Sequence, residues 1–192
     1  MRLGVLGGTF DPIHFGHIRM AEFCLDVLNL DKIFLIPAGN PPHKKPVAPY
    51  EKRVRMMHLA IEDRPIFEIK ELEKIEQAKN YTYTYYTLKR LSEEHPDDEL
   101  FFLMGEDNVS EINCWYRYEE LLNMAQFVIL SRENSDGKKL HMNDKLRYIP
   151  MPVIDISSKE IRNRLMNGKK IEGLVPEVVK NYILENNLYT KK

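Results

Sequence analysis

The run Gly7-Gly8-Thr9-Phe10-Asp11-Pro12-Ile13-His14-Phe15-Gly16-His17 follows the short apolar segment Leu3-Gly4-Val5-Leu6 and leads into a pattern with helical spacing. The order is strand, tight loop, helix. Two glycines let the backbone pass close to a ligand. The opening turn of a helix adds unpaired N–H groups and the positive end of its dipole, so the loop is suited to phosphate. His14 and His17 stand at i and i+3 and point to one side of the helix, with Gly16 leaving no side chain between them. An anion lying there would meet both rings.

Other chemistries fit this stretch less well. A zinc-protease helix would need a His-Glu-x-x-His spacing and a third ligand, and both are missing. Two isolated histidines would by default be structural, but a strand, a double glycine and a helix start precede these two. The loop is not Gly-x-Gly-x-x-Gly, and the next strand, Ile33-Phe34-Leu35-Ile36, ends in Pro37-Ala38-Gly39 where an acid should meet ribose. No Gly-Lys-Ser/Thr is present to make a nucleoside-triphosphatase loop.

The 192 residues fit one domain, or a domain with a helical appendage, and one domain is the simpler reading. It would span 1–192, with about 157–192 as a C-terminal helical portion. A formal charge of −1 supplies no basic field for a nucleic-acid polymer. Cys24 and Cys114 have no paired spacing, and no apolar run reaches the roughly 18 residues needed to cross a bilayer. The expectation is a reduced, cytoplasmic protein without a signal peptide and without a membrane partner.

Apolar runs at 2–7, 32–36, 66–69, 99–104, 126–130 and about 147–155 read as strands. They alternate with helical patterns near 15–29, 50–63, 82–95, 115–124, 158–167 and 176–187. That alternation predicts an α/β fold, a doubly wound and mainly parallel sheet covered on both faces. Ligands in such sheets bind outside the carboxyl ends of the strands. Gly7-Gly8, Pro37-Ala38-Gly39, Gly105-Glu106-Asp107 and Ser157-Ser158 should therefore converge on one crevice. The stretch from Pro37 to Pro49 holds five prolines and reads as a long ordered loop or lid, and Arg132 to Lys139 as a polar surface excursion.

A second phosphate site is suggested by Ser157-Ser158-Lys159-Glu160-Ile161-Arg162, where one serine can cap a helix while free N–H groups face an anion. Arg162, one turn on, can fork onto phosphate oxygens. Standing alone, this would be an ordinary capped helix with a surface arginine.

Taken together, Gly-Gly-Thr-Phe-Asp-Pro-x-His-x-Gly-His, Pro41-Pro42-His43-Lys44, Tyr83-Thr84, Met104-Gly105-Glu106-Asp107, Trp115-Tyr116, Ile156-Ser157-Ser158 with Ile161-Arg162, and Leu174-Val175-Pro176 run along nearly the whole chain. The histidine motif resembles the opening of the nucleotidyltransferase superfamily. The full set is similar to the bacterial nicotinate-nucleotide adenylyltransferase family within it. The resemblance implies a Rossmann-like nucleotidyltransferase fold with C-terminal helices. It also implies transfer of the adenylyl group of ATP to nicotinate mononucleotide, with release of pyrophosphate, in NAD biosynthesis. It leaves self-association open.

By that resemblance, His14 and His17 contact the ATP phosphates, and His17 steadies charge in the transition state. Arg162 joins them as a catalytic residue. Gly8, Thr9, Phe10, Gly105, Asp107, Ser157, Ser158 and Ile161 complete the ATP site, Thr9 and Phe10 through backbone N–H groups. For the acceptor, Trp115 offers a face for the pyridine ring, and Thr84 donors for its carboxylate. Lys44 with His43 would meet its phosphate, and Arg132 is a further candidate for the same anion. Mg²⁺ would be held mainly by ATP phosphates and water, and no protein ligand for it is legible. Tyr86 departs from the family pattern where aspartate is expected, Glu106 where a small residue is, Lys159 where threonine is, and Glu111 lies near a position often aromatic. Competing readings are a sister enzyme acting on another phosphorylated acceptor and a non-catalytic nucleotide-binding module.

Overall fold

The computed structural model describes residues 1–42, 45–74, 81–132, 145–152 and 154–190. In chain order the strands are β1 (Arg2–Gly8), β2 (Lys32–Pro37), β3 (Phe67–Ile69), β4 (Glu99–Gly105), β5 (Gln126–Arg132) and β6 (Leu146–Met151). The helices are α1 (Phe15–Leu28), α2 (Tyr50–Ile61), α3 (Thr84–Glu94), α4 (Tyr118–Met124), α5 (Ser158–Met166) and α6 (Glu177–Glu185), with a 3₁₀ helix over Glu106–Cys114. All strand pairs among the described residues are parallel, in the order β3-β2-β1-β4-β5-β6.

Alternation along each strand explains why both sheet faces are covered, since successive side chains point to opposite sides. Leu3, Val5, Phe102, Met104, Phe127 and Ile129 enter one apolar core with Leu88 and Leu91 of α3 and Leu121 and Leu122 of α4. Leu6, Phe101, Leu103, Val128 and Leu130 enter the other, with α1, α2, α5 and α6. α1 buries Ile18, Ala21, Cys24 and Leu28, a stripe at helical spacing, and stops where Asn29 adopts φ 49°. Burial pushes the Cys24 thiol up to about 12, whereas Cys114 is exposed.

Two boundaries differ from the sequence reading. β6 ends at Met151 because Pro152 offers no donor, and Pro150 is tolerated because β6 is an edge strand. The helix expected over 115–124 is the shorter α4, and the chain before it, over Glu106–Cys114, forms an unexpected 3₁₀ helix. Its buried residues, Val109 and Ile112, are three apart, the 3₁₀ period rather than the α period.

The strand order turns at β1: β2 lies on one side of it and β4 on the other. In register Gly8 stands opposite Pro37, and Leu6 opposite Leu103, which brings Gly105 level with Gly8. The crevice outside this reversal point is where open α/β sheets bind ligands.

Candidate active site

β1 runs out at Gly8, and the chain crosses to α1 through Phe10, which adopts φ 46°. A left-handed phenylalanine costs about 1–2 kcal/mol. Complete burial of its ring, worth about 1.5–3 kcal/mol, offsets that. The ring lies under Gly8 and meets His17 edge-on at 4.9 Å between centroids. The Phe10 side chain is thus held in the core.

His14 caps α1 with extended backbone, and its N–H donates to His17 Nδ1 at 3.3 Å. That bond occupies Nδ1 as an acceptor, so the neutral His17 ring carries its proton on Nε2. The two rings share one side of the helix but stack on each other, 3.7 Å apart and 28° from parallel. The expectation of a vacant space between them is therefore corrected. A Cβ on Gly16 would lie 2.8 Å from His14 Nδ1 and 3.3 Å from the Ile156 carbonyl, so the glycine makes room for the buried His14 ring itself.

The second motif meets the first directly. Ser157 caps α5, its Oγ accepting from the Glu160 N–H at 3.1 Å. Ser158 Oγ donates to the Pro12 carbonyl at 3.0 Å, and Arg162 Nη1 donates to the Asp11 carbonyl at 2.7 Å. Ile161 has its side chain buried in the core, and its N–H bonds to the Ser157 carbonyl. Lys159 is exposed.

Two organising residues were missed by sequence reading. Asp11, 2% exposed, accepts from the Val47 N–H at 2.7 Å, the Ala48 N–H at 3.1 Å and the Tyr189 hydroxyl at 2.7 Å. Arg53, 1% exposed, donates to the carbonyls of Thr9 at 2.6 Å, Ala38 at 2.9 Å and Ala48 at 3.3 Å. It joins the loops after β1 and β2 to the segment before α2. Burial pulls its pKa down, and the neighbouring Asp11 carboxylate opposes that shift. A signal for Arg53 was present: it occupies the buried stripe Arg53, Met56, Met57, Ala60 of α2, where an apolar residue is the norm.

Around the expected acceptor side, Thr84 opens α3 half-buried, where first-turn N–H groups have no partner within the helix. Trp115 follows the 3₁₀ helix, half-buried, edge-on to Phe102 at 5.9 Å, and Phe102 in turn meets Phe127 at 5.1 Å. Tyr116 contacts Tyr83 at 5.1 Å and stacks on Tyr86 at 5.8 Å. The loop after β2 is tied here as well. The Thr82 N–H donates to the Asn40 carbonyl, and Glu73 accepts from the Gly39 N–H and the Thr87 hydroxyl. Glu111 and Asp107 are exposed. His43, Lys44 and residues 133–139 of the surface excursion lie outside the described residues, and Arg132 is placed only by its backbone at the end of β5.

Among the described residues no three His, Cys, Asp or Glu side chains gather to hold a metal ion. No helix among the described residues is long and apolar enough to cross a membrane.

A glycine-rich loop at the reversal point of a 3-2-1-4-5-6 sheet, braced by a capped helix and its arginine, is the arrangement of a nucleotide-binding α/β fold. Residues 5–164 match the cytidylyltransferase-like family. The chain is 40% identical to the probable nicotinate-nucleotide adenylyltransferase of Clostridium botulinum (strain Loch Maree / Type A3), covering 96% of this chain and 97% of that one. It is also 40% identical to the protein of that name from Geobacillus thermodenitrificans (strain NG80-2), over 98% of this chain and 86% of its relative. The chain belongs to the nicotinate-nucleotide adenylyltransferase family. Its fold matches Plasmodium falciparum nicotinic acid mononucleotide adenylyltransferase complexed with NaAD, with a TM-score of 0.82 at 24% identity, over 98% of this chain and 97% of the other.

Proposed function

We propose that this protein transfers the adenylyl group of ATP to nicotinate mononucleotide, giving nicotinate adenine dinucleotide and pyrophosphate in NAD biosynthesis. Near-full-length identity of 40% to two members of the family carries this reading. The residues act as one unit over 1–192, the stretch from about 157 being the helical portion that brings the second phosphate motif.

The acceptor phosphate is already an anionic nucleophile at neutral pH. It attacks the α-phosphorus of ATP in line with the departing pyrophosphate, so positioning and charge neutralisation dominate. His17 donates from Nε2 to the phosphate oxygens on which charge builds, and the bond from the His14 N–H to Nδ1 holds it in that tautomer. The helix starts at Phe15 and Ser158 bring oriented N–H groups to the same crevice, and Arg162 binds the triphosphate beyond Asp11. Mg²⁺, where bound with ATP, would be held by phosphate oxygens and water and would supply charge screening of the triphosphate. Gly105 supports nucleotide placement: at φ −74° it needs no glycine for its backbone, and a Cβ there would meet no described atom within 4 Å. A bound nucleotide explains the missing side chain.

For the acceptor, N–H donors at the start of α3 receive the nicotinate carboxylate, and the Trp115 ring flanks the pyridine. Lys44, His43 and Arg132 complete the anion site. Nicotinate and nicotinamide differ by a charge and two donor hydrogens, not by shape. A carboxamide would turn its NH₂ toward one of the N–H donors and leave a buried group unpaired, so discrimination of about tenfold or more in kcat/KM is expected. Steady-state pyrophosphate release with both mononucleotides at fixed ATP and magnesium tests this. Equal or reversed preference would overturn the nicotinate assignment.

A further inference from the structure

Asp11 is more heavily bonded than a loop carboxylate needs to be. Its oxygens take two backbone N–H groups and the Tyr189 hydroxyl, and its own carbonyl takes Arg162 Nη1. That same nitrogen stands 3.9 Å from Asp11 Oδ2, close enough for attraction but not for a hydrogen bond. Arg162 is thus poised between two acceptors on one residue, and its present partner is the neutral one.

Tyr189 lies beyond α6, 178 positions from Asp11 in sequence, and takes φ 62°, an unfavourable backbone for a tyrosine. Its ring is buried in the core that carries Phe10, Ile13 and Ile161. Burial, reinforced by the Asp11 carboxylate, pushes its hydroxyl pKa far up, so at neutral pH it remains a donor. The backbone strain and the long reach end at one bond, to Asp11 Oδ1.

We propose that Tyr189 is a positioning residue for adenylyl transfer: by satisfying the Asp11 carboxylate, it keeps Arg162 on the Asp11 carbonyl and its guanidinium available to phosphate. This rests on the reading of Arg162 as a phosphate ligand. Without the hydroxyl, Asp11 Oδ1 keeps the Ala48 N–H alone, and the less compensated carboxylate draws Arg162 Nη1 off the Asp11 carbonyl toward Oδ2, now 3.9 Å away. A guanidinium captured by a carboxylate is lost to the nucleotide. Tyr189 would touch no substrate and act wholly through Asp11.

A double-mutant cycle on kcat/KM for ATP tests the coupling, because a residue that only stabilises the fold gives additive effects. Tyr189→Phe removes one oxygen and keeps the ring. Assayed below the melting temperatures of all four proteins, it should lose about tenfold, within the range of couplings between residues of one network. In an Arg162→Ala background the same change should cost less than about twofold. Pyrophosphate inhibition should weaken in parallel with the single variant. Equal losses in the two backgrounds, or none in the first, would overturn the proposal. Full activity of Arg162→Ala alone would instead overturn the phosphate role of Arg162, a separate result. Should the Phe variant not fold, Tyr189→His, whose ring N–H can still donate to Asp11, should keep kcat/KM for ATP within about twofold, and a tenfold loss that persists in the Arg162→Ala background would overturn the proposal.

Discussion

The side of the crevice proposed for phosphate and the side proposed for the acceptor are held together by different forces. On the phosphate side, hydrogen bonds join residues far apart in the chain: Ser158 to Pro12, Arg162 to Asp11, Tyr189 to Asp11, Arg53 to Thr9 and Ala38. Each ends on a buried or half-buried atom, and several end on backbone carbonyls, so the loop has one geometry that satisfies them all. On the acceptor side the contacts are rings. Tyr83, Tyr85, Tyr86 and Tyr116 meet edge-on, tilted or stacked at centroid distances of 5.1–5.8 Å where Tyr116 takes part. Tyr86 and Tyr116 are substantially exposed. Ring contacts tolerate sliding that hydrogen bonds do not. The departure at Tyr86 falls among these rings.

The largest effect should come from Arg53→Met. Three loop carbonyls lose their donor and Asp11 loses a compensating charge, a change expected to cost about 3–5 kcal/mol. Thermal unfolding should show a drop of many degrees, and the surviving folded protein should bind ATP poorly. A near-native melting temperature would mean the phosphate loop is held by something other than these bonds. Next comes His17→Ala, expected to lower kcat about 10²–10³-fold, or about 2.7–4 kcal/mol, with little change in the KM for ATP. A folded variant with full activity would remove His17 from the mechanism. The smallest belongs to the ring side. Trp115→Ala should raise the KM for nicotinate mononucleotide by about two- to tenfold, matching about 0.5–1.5 kcal/mol for one aromatic contact, and leave the KM for ATP unchanged. A large fall in kcat there would break the contrast between a stiff and a compliant half.

The same contrast explains what could be read from the sequence. The six strands, the histidine loop and the Ser157 cap rest on local signals: apolar runs, a double glycine, a serine three residues before a Glu N–H. Asp11 could not be found that way, because its donors come from Val47, Ala48 and Tyr189, and nothing near Asp11 announces them. Arg53 was half-visible as a charge on an apolar stripe, but a long side chain there can also reach solvent, and only the three carbonyls decide the matter. The 3₁₀ helix escaped because its Val109 and Ile112 make a period of three that is too short to register against 3.6. The stacking of His14 on His17 needed the actual side-chain torsions.

The two cysteines differ in a way that turns the molecule into its own instrument. The Cys24 thiol, held near 12 by burial, is inert to alkylating reagents at neutral pH, while Cys114 is exposed and stands beside Trp115, the chain's single tryptophan. A maleimide dye therefore attaches at one place, so that a single label marks the end of the 3₁₀ helix without touching the core.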